Sequence, residues 1–268
     1  MEMKKPFLKW AGDKVRLSRK IKAVLPTGNR LVEPFIGAGS IFLNTNYSSY
    51  VLSDANADLI NIYQLLKDDS HYFIDYARQF FAPMYNTQEA FTERRVLFNT
   101  TSDICLKSAL FIYMNKHCFN GLCRYNASGG FNVPFGRYAK PAFPEAELLA
   151  FAEKTKIADF QVADFRTTMR QVQEGDVVYC DPPYVPLTET AKFTNYTAAG
   201  FTKQDQEDLT QLAIVLRDRG IPVLISNHDT KWVREQYASA QITEFEASRS
   251  KSCDGDRANA NKLLALFI

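Results

Sequence analysis

Histidine and cysteine are scarce in this chain and poorly placed for metal chemistry. The three histidines stand far apart at positions 71, 117 and 228, and the five cysteines, at 105, 118, 123, 180 and 253, form no Cys-x-x-Cys pair. An odd number of thiols without that spacing supplies neither a zinc site nor a disulfide framework, so no metal is expected. Long apolar runs are missing too. Hydrophobic residues make up 46% of the 268 positions and charged residues 23%, as in a soluble globular domain. The amino terminus, Met1-Glu2-Met3-Lys4-Lys5-Pro6, lacks an apolar core, so neither a signal peptide nor a membrane span is read, and a cytoplasmic monomer is expected. Acid is absent between Ile104 and Pro144, a stretch that holds Lys107, Lys116, Arg124, Arg137 and Lys140. Although the net charge is only +2, residues 1–30 carry nine Lys or Arg against two acids. Basic surfaces without acid suit a polyanion, because each phosphate they neutralise releases counterions.

Short apolar runs alternate with helical patterns in the first fifty residues. Arg30-Leu31-Val32 reads as a strand ending in the loop Glu33–Ser40, and Tyr50-Val51-Leu52 as a second strand ending at Asp54. Leu59, Ile62, Tyr63 and Leu66 then recur at helical spacing behind a capping Asn56. Residues 56–144 show no strand–helix alternation. They are helical to about Met114 and then become a loop rich in Asn, Gly, Phe and Tyr, which reads as an inserted module. Alternation resumes with strands at Phe160–Val162 and Asp176–Cys180, a helix from Thr202 to Arg219 closed by Gly220, and strands at Ile221–Ser226, Ile242–Phe245 and Leu263–Phe267. Such alternation implies a doubly wound α/β sheet that binds ligands at the carboxyl ends of its strands. Residues 1–55 and 145–268 would form that sheet domain.

Two motifs carry chemistry. Phe35-Ile36-Gly37-Ala38-Gly39 follows a strand, and alternate glycines permit a tight turn against a ligand. Asp54, at the end of the next strand, can accept hydrogen bonds from both ribose hydroxyls. Together they indicate an adenosine-containing cofactor. A dinucleotide site would place a small residue at position 42, where this chain has Phe42; S-adenosylmethionine has no phosphate and needs no such site. The second motif is Asp181-Pro182-Pro183-Tyr184. Proline cannot continue a central strand and fixes φ, so this run holds a carboxylate, the Pro182 carbonyl and an aromatic ring rigidly at a strand's carboxyl end. Two acceptors aimed at the hydrogens of an exocyclic amino group would raise electron density on its nitrogen, beside a ring that can stack on a planar base.

In the order Gly-rich motif, insertion, Asp-Pro-Pro-Tyr, the chain resembles the alpha-class N6-adenine DNA methyltransferases. Over nearly its whole length it is similar to the Dam adenine methylases, which modify adenine in GATC. Pro6–Gly12, Phe119–Asn126, Phe131–Tyr138 and Ile221–Asp229 carry that closer likeness. The resemblance implies an S-adenosylmethionine-dependent, Rossmann-like methyltransferase sheet with an inserted helical DNA-recognition domain, acting on double-stranded DNA. Trp10, Ala11, Gly12 and Lys14 would line the methionine end of the cofactor, with Pro34, Phe35, Gly37, Gly39 and Ser40 in its loop. Asp54 would hold the ribose, Asp164 and Phe165 would border the adenine, and Asp181 would serve both cofactor and target base. Catalysis would rest on Asp181, Pro182 and Tyr184. Lys9 would touch the first guanine, Phe119 would wedge into the base stack with Asn120 at the vacated place, and Leu122 and Arg124 would read bases, flanked by Pro134, Arg137 and Tyr138. Arg suits guanine, an apolar side chain suits the thymine methyl, and the target adenine must be flipped out to react. One departure is visible: Ala11-Gly12-Asp13-Lys14 stands where the family commonly has Ala-Gly-Gly-Lys, bringing a negative charge near a sulfonium. Three alternatives remain: methylation of cytosine N4 or of an amide outside DNA, a nucleotide-dependent dehydrogenase, and a catalytically silent DNA-binding regulator.

Overall fold

The computed structural model describes residues 3–12, 14–184, 200–245 and 261–268. Their strands form one sheet in the order β3-β2-β1-β4-β5-β7-β6. The strands are β1 (Arg30–Glu33), β2 (Ser49–Asp54), β3 (Ala158–Val162), β4 (Asp176–Cys180), β5 (Val223–His228), β6 (Gln241–Phe245) and β7 (Lys262–Phe267). β1 to β5 pair in parallel, and β7 is antiparallel to both its neighbours. The chain winds outward from β1 through β2 to β3 and then returns to β4 on the other side of β1. That reversal opens a crevice at the carboxyl ends of β1 and β4, where doubly wound sheets bind their ligands.

Around the sheet lie α1 (Ser18–Val24), α2 (Ser40–Asn44), α3 (Ala57–Asp68), α4 (Ser70–Arg78), α5 (Gln88–Thr100), α6 (Ile104–His117), α7 (Glu145–Thr155), α8 (Phe165–Arg170), α9 (Lys203–Asp218) and α10 (Lys231–Gln236). One face of the sheet is covered by an aromatic cluster in which Phe42, Tyr63 and Phe151 are fully buried and Phe160 joins them. Phe42 packs edge-on against Tyr50, filling the space beside α2 that a small residue would leave open. The other face is sealed by Phe165, Leu209, Ala213, Leu216 and Val233 from α8, α9 and α10. Leu209, Leu212, Ala213 and Leu216 recur at helical spacing on α9, which predicts one buried side; three of them are buried, and Leu212 is only partly buried against the same cluster. It begins in a capping box between Thr202 and Asp205 and ends at Gly220, where φ is +76° and the Ile221 N–H reaches back to the Leu216 carbonyl. β5 begins two residues later than its sequence pattern suggests. Pro222 has no N–H to give the ladder, but its carbonyl still accepts from Val178.

Asn56 caps α3 as expected, accepting from the Leu59 N–H. α6 runs three residues past Met114 and is buried on nearly every side, so α4 and α5 can pack around it. α3 touches both α6 and β3, which fixes the helical insertion to the sheet. No helix among the described residues is long and apolar enough to cross a membrane.

Candidate active site

A cavity of about 580 Å³ opens at the carboxyl ends of the parallel strands. Trp10, Ala11, Gly12, Lys14, Pro34, Phe35, Gly37, Ser40, Asp54, Asp164, Phe165, Asp181, Pro182 and Tyr184 all line it, although they are widely separated in the chain. Gly39 does not. It turns the chain into α2 at φ +75°, with Phe151 and Ile36 where a side chain would stand. Gly37 is the residue that keeps this loop open to the cavity: its φ is +48°, and an added Cβ would lie 2.9 Å from the Trp10 indole nitrogen. Asp13 lies outside the described residues.

Asp54 receives the N–H groups of Gly37 and Asn56 on its two oxygens, at 3.2 and 3.0 Å. Burial pushes its carboxyl up to about 6, against the pull of those backbone hydrogen bonds. Phe35 and Phe165 stack at 5.4 Å, and Phe201 meets the edge of Phe35, so three rings wall one end of the cavity. At that end Arg166 ties the Asp164 carboxylate to Asp205 and Asp208 of α9.

Asp181 is held on both oxygens. Its Oδ2 lies 2.7 Å from the Lys14 ammonium, and its Oδ1 accepts from the Ser226 hydroxyl at 2.8 Å. Ser226 in turn stands 3.2 Å from the Tyr179 hydroxyl. Lys14 is itself buried and donates to the Gly12 carbonyl at 2.6 Å. Burial alone would lower Lys14, but Asp181 and Tyr184 more than offset it and hold the ammonium above the ordinary lysine range. The Lys14 ammonium also sits 4.7 Å from the centre of the Tyr184 ring, while His228 meets that ring edge-on at 4.8 Å. Pro183 is anchored as well, its carbonyl accepting from Gln206 of α9 at 2.7 Å.

Sequence reasoning does not find four residues here: Ser226, Tyr179, Lys262 and Glu33. Lys262 lines the cavity and is lowered by burial and by repulsion from Lys14. Glu33 ends β1 fully buried, with one carboxyl oxygen that has no hydrogen-bond partner, and burial raises it to about 8. Its place between a strand end and a Pro-Phe loop is visible in the sequence, but its burial is not. The unpartnered Glu33 oxygen, the buried Asp54 and an open glycine loop fit a ligand that brings hydrogen-bonding groups and a ribose diol into the cavity.

The second group of expected residues gathers on the insertion. Asn115 of α6 clamps Lys9 by its backbone, accepting from its N–H at 2.9 Å and donating to its carbonyl at 2.8 Å, and also donates to the Gly121 carbonyl. Lys9 then extends its ammonium over the Tyr138 ring, 4.4 Å from the centre. The Tyr138 hydroxyl accepts from the Asn120 N–H, and Phe119 donates its N–H to the Pro134 carbonyl. Asn120 and Gly121 both turn left-handed, at φ +55° and +63°, which leaves Phe119 half exposed rather than in the core. Arg137 is also left-handed, at +54°, a conformation that costs a side-chain-bearing residue about 1–2 kcal/mol. Arg124 pairs with Asn132 and, among the described residues, with no carboxylate. Leu122 packs against the core beside it.

A cavity at the switch point of this sheet, lined by Asp54, Asp181 and a glycine loop, suits an S-adenosylmethionine-dependent methyltransferase. Residues 10–251 match the family model of the D12 class N6 adenine-specific DNA methyltransferases. The chain is 49% identical over 269 residues to a DNA adenine methylase of Vibrio cholerae serotype O1, covering 100% of this chain and 97% of that one. It is 48% identical to a DNA adenine methylase of Serratia marcescens, with both chains covered completely, and 47% identical to that of Escherichia coli K12, covering 96% of the latter. The chain therefore belongs to the D12 class N6 adenine-specific DNA methyltransferases. It is an enzyme that methylates adenine in DNA with S-adenosylmethionine as donor, which sets aside the dehydrogenase and cytosine N4 readings.

Proposed function

We propose that the chain methylates adenine N6 within GATC in double-stranded DNA, with residues 56–144 as the recognition module and Asp181, Pro182 and Tyr184 at the reacting nitrogen. The observation that carries this reading is the fixed Asp181 carboxylate, held by Lys14 and Ser226 at the rim of a cavity lined by Asp54, Phe35 and Phe165. S-adenosylmethionine supplies a methyl group on a positively charged sulfur. Trp10, Ala11, Gly12 and Lys14 border its methionine end, Ser40 and Gly37 the loop, Asp54 the ribose, and Pro34, Phe35, Asp164 and Phe165 the adenine. The target base is flipped from the duplex, because its amino group is out of reach inside the stack. The half-exposed Phe119 supports a wedging role, and Asn120 beside it would fill the vacated place. Tyr184 stacks on the extruded base. The Asp181 carboxylate and the Pro182 carbonyl accept its two amino hydrogens, raising electron density on N6 and facing the positive charge that grows there. Positioning supplies most of the rate.

Reading of the site falls to Lys9 at the first guanine and to Leu122 and Arg124 in the second half, with Pro134, Arg137 and Tyr138 beside them. That no carboxylate among the described residues pairs with Arg124 supports its availability to a guanine edge. The test is methyl incorporation into a GATC duplex and into duplexes with one base pair of the site changed. GATC is expected to be modified and the changed sites to lag. Arg124→Ala should narrow that gap by about 1–3 kcal/mol at the position it reads. Equal modification of the changed sites by the parent would overturn the specificity.

A further inference from the structure

The amino-terminal segment runs from the insertion along the wall of the active-site cavity. Lys9 is fastened to the insertion by Asn115, Trp10 to Gly12 and Lys14 line the cavity, and the chain then enters a short 3-10 turn and α1. α1 packs against α2 and reaches the last residue of β6. Lys20 sits 5.6 Å from the ring centre of Phe245, the last residue of β6. Phe245 pairs in register with Lys262, which pairs in turn with His228 at the carboxyl end of β5; both Lys262 and His228 line the cavity. Lys20 is thus at the active-site end of the sheet, on the edge away from β2, out of which the insertion grows.

α1 is amphipathic in an unusual way. Ser18 and Ile21 are buried and Leu17, Val24 and Leu25 pack inward, while Arg16, Arg19, Lys20 and Lys22 are all exposed. No acid occurs between Lys14 and Arg30, and among the described residues none of these four cations makes an ion pair. Exposed like charges on a short segment repel each other and cost stability, so four of them with no ion-pair partner among the described residues suit an anionic partner. The partner at hand is the substrate. A duplex that presents its target base to Asp181 must lie over the mouth of the cavity. If one flank lies on the insertion, the other runs toward the opposite edge of the sheet, where β6 ends.

We infer that α1 and the 3-10 turn before it form a second DNA-binding surface, in which Arg16, Arg19, Lys20 and Lys22 grip the phosphates of the duplex flanking the target on the side away from the recognition module. The surface reads no bases. It lengthens the footprint and makes binding to long DNA more salt-dependent than binding to short DNA. The inference rests on DNA as substrate and on Asp181 as the point of transfer, not on the identity of the sequence recognised.

The test compares the parent with Arg16→Gln/Arg19→Gln/Lys20→Gln on duplexes with a long or a short flank around the same site, and on a long duplex of unrelated sequence. Each phosphate that the variant leaves unneutralised should flatten the slope of log affinity against log salt by about 0.9. Three such phosphates make the parent weaken about 40-fold more than the variant between about 50 and 200 mM salt. That difference is expected on both long duplexes and is expected to vanish on the short one, with S-adenosylmethionine affinity and single-turnover rate on the short duplex unchanged. Equal slopes for parent and variant on long DNA would overturn the inference, as would an equal loss on the short duplex. A second readout needs no variant: long DNA, but not short DNA, should protect Lys20 and Lys22 of the parent from amine acylation, and equal labelling would refute it. The unrelated duplex keeps the outcome separate from GATC specificity, because a slope that persists there while site preference fails would correct only the recognition assignment.

Discussion

Ser226 is the residue on which the geometry around Asp181 makes its sharpest demand. It sits in β5 with no exposed surface, and its hydroxyl reaches Asp181 at 2.8 Å, the Cys180 carbonyl at 3.4 Å and the Tyr179 hydroxyl at 3.2 Å. Ser226→Ala removes the partner of one carboxylate oxygen, while Lys14 still holds the other. A hydrogen bond to a charged group contributes about 1.5–3 kcal/mol, and a carboxylate without it is free to rotate away from the amino group it must accept. If that whole contribution is expressed in the transition state, methyl transfer slows about 10- to 150-fold. Single-turnover transfer with saturating cofactor and DNA is the assay. Ser226 does not line the cavity, so S-adenosylmethionine affinity should be unchanged. A single-turnover rate equal to the parent's would show that Ser226 does not hold Asp181 for transfer, and so would a loss confined to cofactor affinity.

Other consequences are open to direct measurement. Because burial raises the Asp54 carboxyl to about 6, S-adenosylmethionine should bind fully above that pH and weaken as pH falls through it, when the ribose acceptor becomes protonated. Titration calorimetry from about pH 5 to 8 should show this, and Asp54→Asn should bind weakly at every pH with a flat profile. Gly121→Ala places a Cβ 2.4 Å from the Lys9 side chain at φ +63°. It should weaken DNA binding and leave cofactor affinity intact; gel-shift and calorimetry separate the two. Thr202→Ala removes the capping box of α9 and should lower stability by about 1 kcal/mol in a urea titration.

Much of this architecture is legible in the residues. Strand ends at Asp54 and Asp181 are marked by a switch from apolar runs to Pro, Asn and Gly, and the stripe on α9 by its spacing. The insertion can be seen because strand–helix alternation stops at residue 56 and resumes only near residue 160. What cannot be read are contacts between distant segments. Nothing local in the sequence around Lys14 says that its ammonium meets Asp181, or that Ser226, one apolar-strand position among several, aims its hydroxyl at the same carboxylate. Lys14 is expected at the methionine end of the cofactor and does stand in the cavity wall, but it also forms half of a buried ion pair. Glu33 escapes a reading of the sequence because burial depends on what packs over a residue, and Phe42 and Lys154 come from α2 and α7. The clasp of Asn115 on Lys9 is hidden for the same reason, since it joins the amino terminus to the middle of the chain.

The most direct test of the central claim is a map of N6-methyladenine in the genome of a host that has no adenine methylation of its own, made after expression of the parent chain and of Asp181→Ala. Adenine in GATC is expected to be modified throughout the genome with the parent, and not with the variant at equal protein level. Methylation at another sequence would contradict the recognition assignment, and parent-level methylation by Asp181→Ala would contradict the active site itself.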